Sequence, residues 1–168
     1  SQIFFNKKIL IYGLGKSGLS SYNFLKNKND VYLFDDNVNL KINKSIKKKI
    51  LNFKELLKTK FDLILSDVAP NTTGHQSTDH LRISQLIYEV IDRLEIILKK
   101  QGSFIFKIWK GEEEKEIIKM LKKNFDKVEY FKPKSSRQES SEIFIISRGF
   151  RLNEEWDRNY FNCGLWIT

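Results

Sequence analysis

Three polar residues and one glycine-rich turn in this chain have the types and spacing to do chemistry. Asp67 follows the apolar run Phe61, Leu63, Ile64, Leu65 with only Ser66 between. That puts a carboxylate at the carboxyl end of a buried strand, where open α/β sheets bind ligands. Pro70 stiffens the exit, and Thr72, Thr73 and Gly74 continue a polar loop. Lys107 stands between Phe106 and Ile108. An amine withdrawn from water holds its proton less tightly and becomes a usable base near neutral pH. Glu142 opens a third apolar run, residues 142–147. Far upstream, Gly13, Gly15 and Gly18 spell G-x-G-x-x-G after the apolar residues 8–12. Such glycines let the backbone turn tightly and approach a phosphate or ribose beside the N–H groups of the following helix. Asp35, about 20 residues further on, is placed to accept hydrogen bonds from ribose hydroxyls. Each feature also has a plainer reading: a turn-capping Asp67, an edge Lys107 reaching for water, and glycines that only permit close helix–strand packing.

The elements that must position these residues follow from periodicity. Residues 8–12, 31–34, 61–65, 103–108, 127–131 and 142–147 read as strands, with a short further strand at 50–53. A helix over residues 17–26 offers Leu19, Tyr22, Phe24 and Leu25 as apolar contacts, and a helical turn covers 53–57. Ser77 or Thr78 caps a helix running to about Lys100, where Gln101 and Gly102 end it. Its residues Ile83, Leu86, Ile87, Val90, Ile91, Leu94, Ile97 and Leu98 repeat at helical spacing. The next helix carries Glu112, Glu113 and Glu114 in its first turn and Lys119, Lys122 and Lys123 toward its end, which suits the helix dipole. Its buried face is Ile117, Ile118, Leu121 and Phe125. Lys132, Lys134 and Arg137 then form a basic loop able to meet phosphates, and residues 142–147 return as a hairpin partner. Alternating strands and helices predict a doubly wound, mostly parallel α/β sheet with an antiparallel last strand.

Composition limits the alternatives. At 168 residues, with 40% apolar and 13% aromatic residues, the chain suffices for one core. A lone cysteine, Cys163, excludes an internal disulfide, and two histidines in one loop, His75 and His80, make a poor metal site. The absence of a long apolar run or signal-peptide pattern predicts a cytoplasmic location. A net charge of +9 suits a polyanionic partner, but the lysines are spread through asparagine- and isoleucine-rich stretches and read equally well as solvated faces.

The wording from Ser66 to His80, S-D-x-A-P-N-x-[ST]-G-x-x-x-x-D-H, resembles the FtsJ/RrmJ family of S-adenosylmethionine-dependent ribosomal RNA ribose 2′-O-methyltransferases. Further matches are F-x-x-K-[VI] at Phe104 to Ile108, K-P-x-x-S-R at Lys132 to Arg137, and S-x-E-x-[YF] at Ser140 to Phe144. The resemblance runs from about Phe61 to about Arg151. It implies a Rossmann-like methyltransferase fold over residues 1–151, with a glycine-loop half to residue 60, a catalytic half from 61, and a tail, 152–168. It also implies a catalytic set of Asp67, Lys107 and Glu142, with S-adenosyl-L-methionine resting on Gly13, Gly15, Gly18, Asp35 and Asp67. The implied partner is ribosomal RNA or the large ribosomal subunit, its phosphates met by Lys132, Lys134 and Arg137, with a monomeric enzyme and no metal or membrane.

The opening departs from that family. Its first loop reads approximately D-L-G-x-x-P-G-G-W, and Ile11, Lys16 and Leu19 stand where the acid, proline and tryptophan would be. A family lysine on a helix ahead of the first strand has no counterpart in the seven residues before Lys8. These departures predict weak or no turnover. Residues 5–60 look instead like the nucleotide-binding start of MurD, the muramoylalanine–glutamate ligase, so the chain reads as a join near Phe61. The competing expectation is therefore a binding module for a uridine nucleotide or dinucleotide. In the tail, Trp156, Tyr160, Phe161 and Trp166 are expected to pack on the sheet or stack on bases.

Overall fold

A computed structural model describes residues 4–35, 43–66, 76–134 and 141–152. Six strands form one sheet: β1 (Lys8–Tyr12), β2 (Asp30–Phe34), β3 (Phe61–Ser66), β4 (Leu98–Trp109), β5 (Phe125–Phe131) and β6 (Glu142–Phe150), in the order β2-β1-β3-β4-β6-β5. β1, β2, β3 and β4 are mutually parallel, and β6 runs antiparallel to both of its neighbours. The helices are α1 (Lys16–Leu25), α2 (Lys44–Lys47), α3 (Phe53–Leu57), α4 (Gln76–Ile97) and α5 (Glu112–Asn124).

Alternation along the strands divides the apolar residues into two layers. Leu10, Tyr12, Ile64, Phe104, Phe106, Ile143 and Ile145 point to one face, where they meet Ile87, Val90, Ile91 and Leu94 of α4 and Ile117 and Leu121 of α5. Ile9, Ile11, Leu33 and Leu63 point to the other face and meet Tyr22 and Leu25 of α1. Each fully buried aliphatic or aromatic side chain contributes about 1.5–3 kcal/mol, so the thicker α4–α5 layer holds most of the apolar stabilisation. Local rules set the helix starts. Asn52 and Glu55 form a reciprocal capping box on α3, and Glu114 accepts from the Gly111 N–H ahead of α5.

The structure corrects several expected boundaries. α4 ends at Ile97 rather than at Gln101 and Gly102, and β4 begins at Leu98. Leu98 is fully buried and fits either the helical stripe or a strand, which is why spacing alone misplaced it. The irregularity lies within β4: Gln101 has φ of 64° and the register to β3 shifts there. Gly102 is needed at this bend, since a Cβ would come within 2.7 Å of the Lys99 carbonyl oxygen. The expected strand at 50–53 is reduced to one bridge between Ile50 and Leu33. Phe24, expected to face the core, is 83% exposed.

Candidate active site

One row of residues crosses the sheet near the carboxyl ends of its parallel strands. In register it reads Phe34, Tyr12, Ser66, Phe106, Ile145, Tyr130. Each of the first four is followed in the chain by a candidate residue: Asp35 after Phe34, Gly13 after Tyr12, Asp67 after Ser66 and Lys107 after Phe106. Strand pairing therefore delivers Asp35, Gly13 and Lys107, from three separate segments, to one end of the sheet. Asp67 itself lies outside the described residues, as do Arg137, the loop 135–140 and the tail from residue 153.

Lys107 is carried on an interior strand, not an edge, and its side chain is 19% exposed. Its Nζ lies 3.8 Å from Oε1 of Glu142, which is 45% exposed. The pairing follows from register, because Lys107 sits opposite Phe144 and Trp109 opposite Glu142 on the antiparallel β4–β6 ladder. Residues 107 and 109 share a face, as do 142 and 144. Trp109 joins the cluster by donating from Nε1 to the same Oε1 of Glu142 at 3.5 Å. Sequence reasoning did not single out Trp109, although its place two residues after Lys107 on a strand was the available signal.

The glycine loop is closed by its own acid. The Leu14 N–H donates to Oδ2 of Asp35 at 2.7 Å, and the Gly13 N–H donates to the Phe34 carbonyl at 2.9 Å. One carboxylate oxygen of the expected ribose acceptor thus braces the turn. Gly13, at φ of 99°, occupies the left-handed region that favours glycine. Gly18 lets α1 press onto the loop, since a Cβ there would lie 2.0 Å from the Gly13 carbonyl oxygen. Gly15 differs: a Cβ there would meet nothing within 4 Å. The loop leaves open space at Gly15 and none at Gly18. Lys132 and Lys134 are exposed just beyond β5. Among the described residues, no group of three or more metal-ligating side chains converges, and no helix is long and apolar enough to cross a membrane.

This arrangement of parallel strands, a glycine turn after the first, and an antiparallel strand inserted beside the last parallel one defines an α/β methyltransferase fold. A protein assigned as a ribosomal RNA methyltransferase from Plasmodium falciparum superposes with a TM-score of 0.62 over 87% of each chain at 24% identity. A fibrillarin pre-rRNA processing protein from Methanococcus jannaschii gives 0.57 over 88% of this chain and 68% of its own at 16% identity. In sequence, the ribosomal RNA large subunit methyltransferase E of Caulobacter vibrioides is 52% identical over 97 residues, covering 58% of this chain and 43% of that protein. The corresponding protein of Ehrlichia ruminantium is 43% identical over 59% of this chain and 77% of its own length. The alignment thus spans less than half of the Caulobacter protein. The FtsJ-like methyltransferase family model matches residues 6–150, and the chain belongs to that family.

That match runs across Phe61 and includes the glycine loop. The MurD resemblance of residues 5–60, the join and the uridine-nucleotide module find no support, because β1, β2 and β3 lie in one sheet inside one family match. The glycine pattern misled because any tight turn after a first parallel strand requires similar residues.

Proposed function

We propose that this chain transfers the methyl group of S-adenosyl-L-methionine to a ribose 2′-hydroxyl of ribosomal RNA, acting as one unit over residues 1–151. The observation that carries the reading is the Lys107–Glu142 pair on the same sheet edge as the glycine loop, within a chain of the FtsJ-like methyltransferase family. Two features support seating the cofactor on this loop: Gly15 leaves open space over the turn, and Asp35 is tied to the same turn through the Leu14 N–H.

When bound, the cofactor supplies a methyl group on a sulfonium, already a good leaving group. The chain's own residues must align the hydroxyl and take its proton. Lys107 would accept that proton at Nζ, and the Glu142 carboxylate would hold the ammonium produced. Trp109 keeps Glu142 turned toward Lys107 through its indole N–H. Asp67, which follows Ser66 in the row, orients Lys107 and the methyl-donor end, while Lys132, Lys134 and Arg137 meet RNA phosphates.

The test is product identity. Purified protein is incubated with methyl-tritiated S-adenosylmethionine and large-subunit RNA lacking the modification, and the RNA is digested to nucleosides. The expected product is a labelled 2′-O-methylnucleoside. Label on a base, or none in RNA while the protein binds the cofactor, would overturn the proposal.

A further inference from the structure

Beyond Lys107 the row that follows Phe106 continues across two more strands. Lys107 pairs with Phe144 on β6, and Phe144 pairs with Phe131 on β5. Residues opposite one another share a face, so Lys107, Phe144 and Phe131 line up on the side of the sheet that carries α1. Neighbouring strands lie about 4.8 Å apart, which places Phe131 about 10 Å from Lys107 along the row. Among the described residues, α4 and α5 pack on the opposite face, and α1 packs over β1, β2 and β3. Phe131 is 51% exposed at the edge of the sheet, and Lys132 and Lys134 follow it immediately. Its neighbour Tyr130 is differently engaged, with its hydroxyl donating to Glu114 of α5 on the opposite face.

From this placement we infer that Phe131 is a stacking platform for a base of single-stranded RNA, the nucleotide adjoining the one whose ribose is held at Lys107. An exposed phenyl ring accepts any base through its π-face, and the two lysines beside it bring the phosphates of the same strand into place. Phe144 bridges the platform and the reacting centre. This deepens the proposed function and rests on that reading for the identity of the reacting nucleotide.

The test uses the full chain and fluorescein-labelled oligoadenylate, with binding followed by anisotropy at low and moderate salt. Stacking on an aromatic side chain is worth about 1–3 kcal/mol per base, so Phe131→Ala should weaken binding about 5- to 150-fold. The factor should be equal at both salt concentrations, because no phosphate contact is lost. Phe131→Trp should restore binding, and the fluorescence of the added indole should be quenched by the oligonucleotide. A loss under twofold for Phe131→Ala, or an added indole that the bound oligonucleotide leaves unquenched, would overturn the inference. Methyl transfer is measured in parallel. Wild-type protein that binds RNA through Phe131 but makes no 2′-O-methylnucleoside sinks the functional reading alone, whereas undiminished binding by Phe131→Ala in an active protein sinks the platform alone.

Discussion

The two ends of the candidate site are built differently. Around Gly13 and Asp35, polar groups are tied to one another across 21 residues of sequence: the acid accepts from the Leu14 N–H, and Gly18 admits α1 against the loop backbone. Around Lys107 and Glu142, the groups lie on paired strands, and ladder register alone brings them within 3.8 Å. A loop needs its own internal bonds to hold a shape, while a strand residue inherits its position from its neighbours. Wording can therefore drift at Ile11, Lys16 and Leu19 without disturbing the pairing that places Lys107.

The largest test of this contrast is at the glycines. Gly18→Ala forces a Cβ into the Gly13 carbonyl and should cost about 3 kcal/mol or more, read as a lowered denaturation midpoint with loss of cofactor binding. Gly15→Ala meets no atom and should leave the midpoint unchanged while weakening S-adenosylmethionine in calorimetry. Wild-type affinity in that variant would mean that the cofactor does not cross Gly15.

A smaller effect tests the strand-built half. Burial and then the Glu114 carboxylate push the Tyr130 phenol up to about 12, and Glu114 is only 7% exposed. Tyr130→Phe removes a donor from a buried carboxylate and should cost about 1–2 kcal/mol, toward the lower value because the ring is exposed. A raised folded value makes this contribution complete below pH 10 and lost as pH rises toward about 12. Wild-type and variant melting curves should therefore converge in alkali, and a constant gap up to pH 12 would contradict the assignment.

At the opposite, amino-terminal edge, Asp62 ties β1 to β4 by accepting from the Lys8 N–H at 2.7 Å and from Lys99 Nζ at 3.0 Å. Burial pulls its carboxyl up, but these two donors more than reverse that and hold it below the ordinary value. A depressed value contributes stability above the unfolded carboxylate range and loses it as pH falls. Asp62→Asn should cost about 1 kcal/mol at neutral pH and nothing in strong acid, as read from melting temperature against pH. The smallest change is at Ser147, whose buried hydroxyl has no hydrogen-bond partner among the described residues. Ser147→Ala should leave stability equal or slightly raised.

Much of this was legible in the sequence, for reasons that differ by position. β1 and α3 fall at the expected residues: a short apolar run before glycines marks the first, and the Asn52–Glu55 capping box fixes the start of the second in the structure. Lys107 stood out as a cation in an apolar strand. The α4–β4 junction did not, because Leu98 is buried in either conformation and Gln101 is not a residue type that announces a left-handed turn. Trp109 and Phe131 were missed for another reason: their relevance depends on which strand lies beside which, and the insertion of β6 between β4 and β5 is a non-local choice. The glycine loop was legible as a tight turn after the first strand but not as to family, since its residues answer to geometry before ligand.

The central claim is that Lys107 takes the proton of the attacking hydroxyl. Single-turnover transfer of tritiated methyl to RNA by Lys107→Ala, with cofactor binding measured alongside, tests it most directly. The account predicts a rate at least about 100-fold below wild type with the cofactor still bound. Transfer at close to the wild-type rate would contradict it.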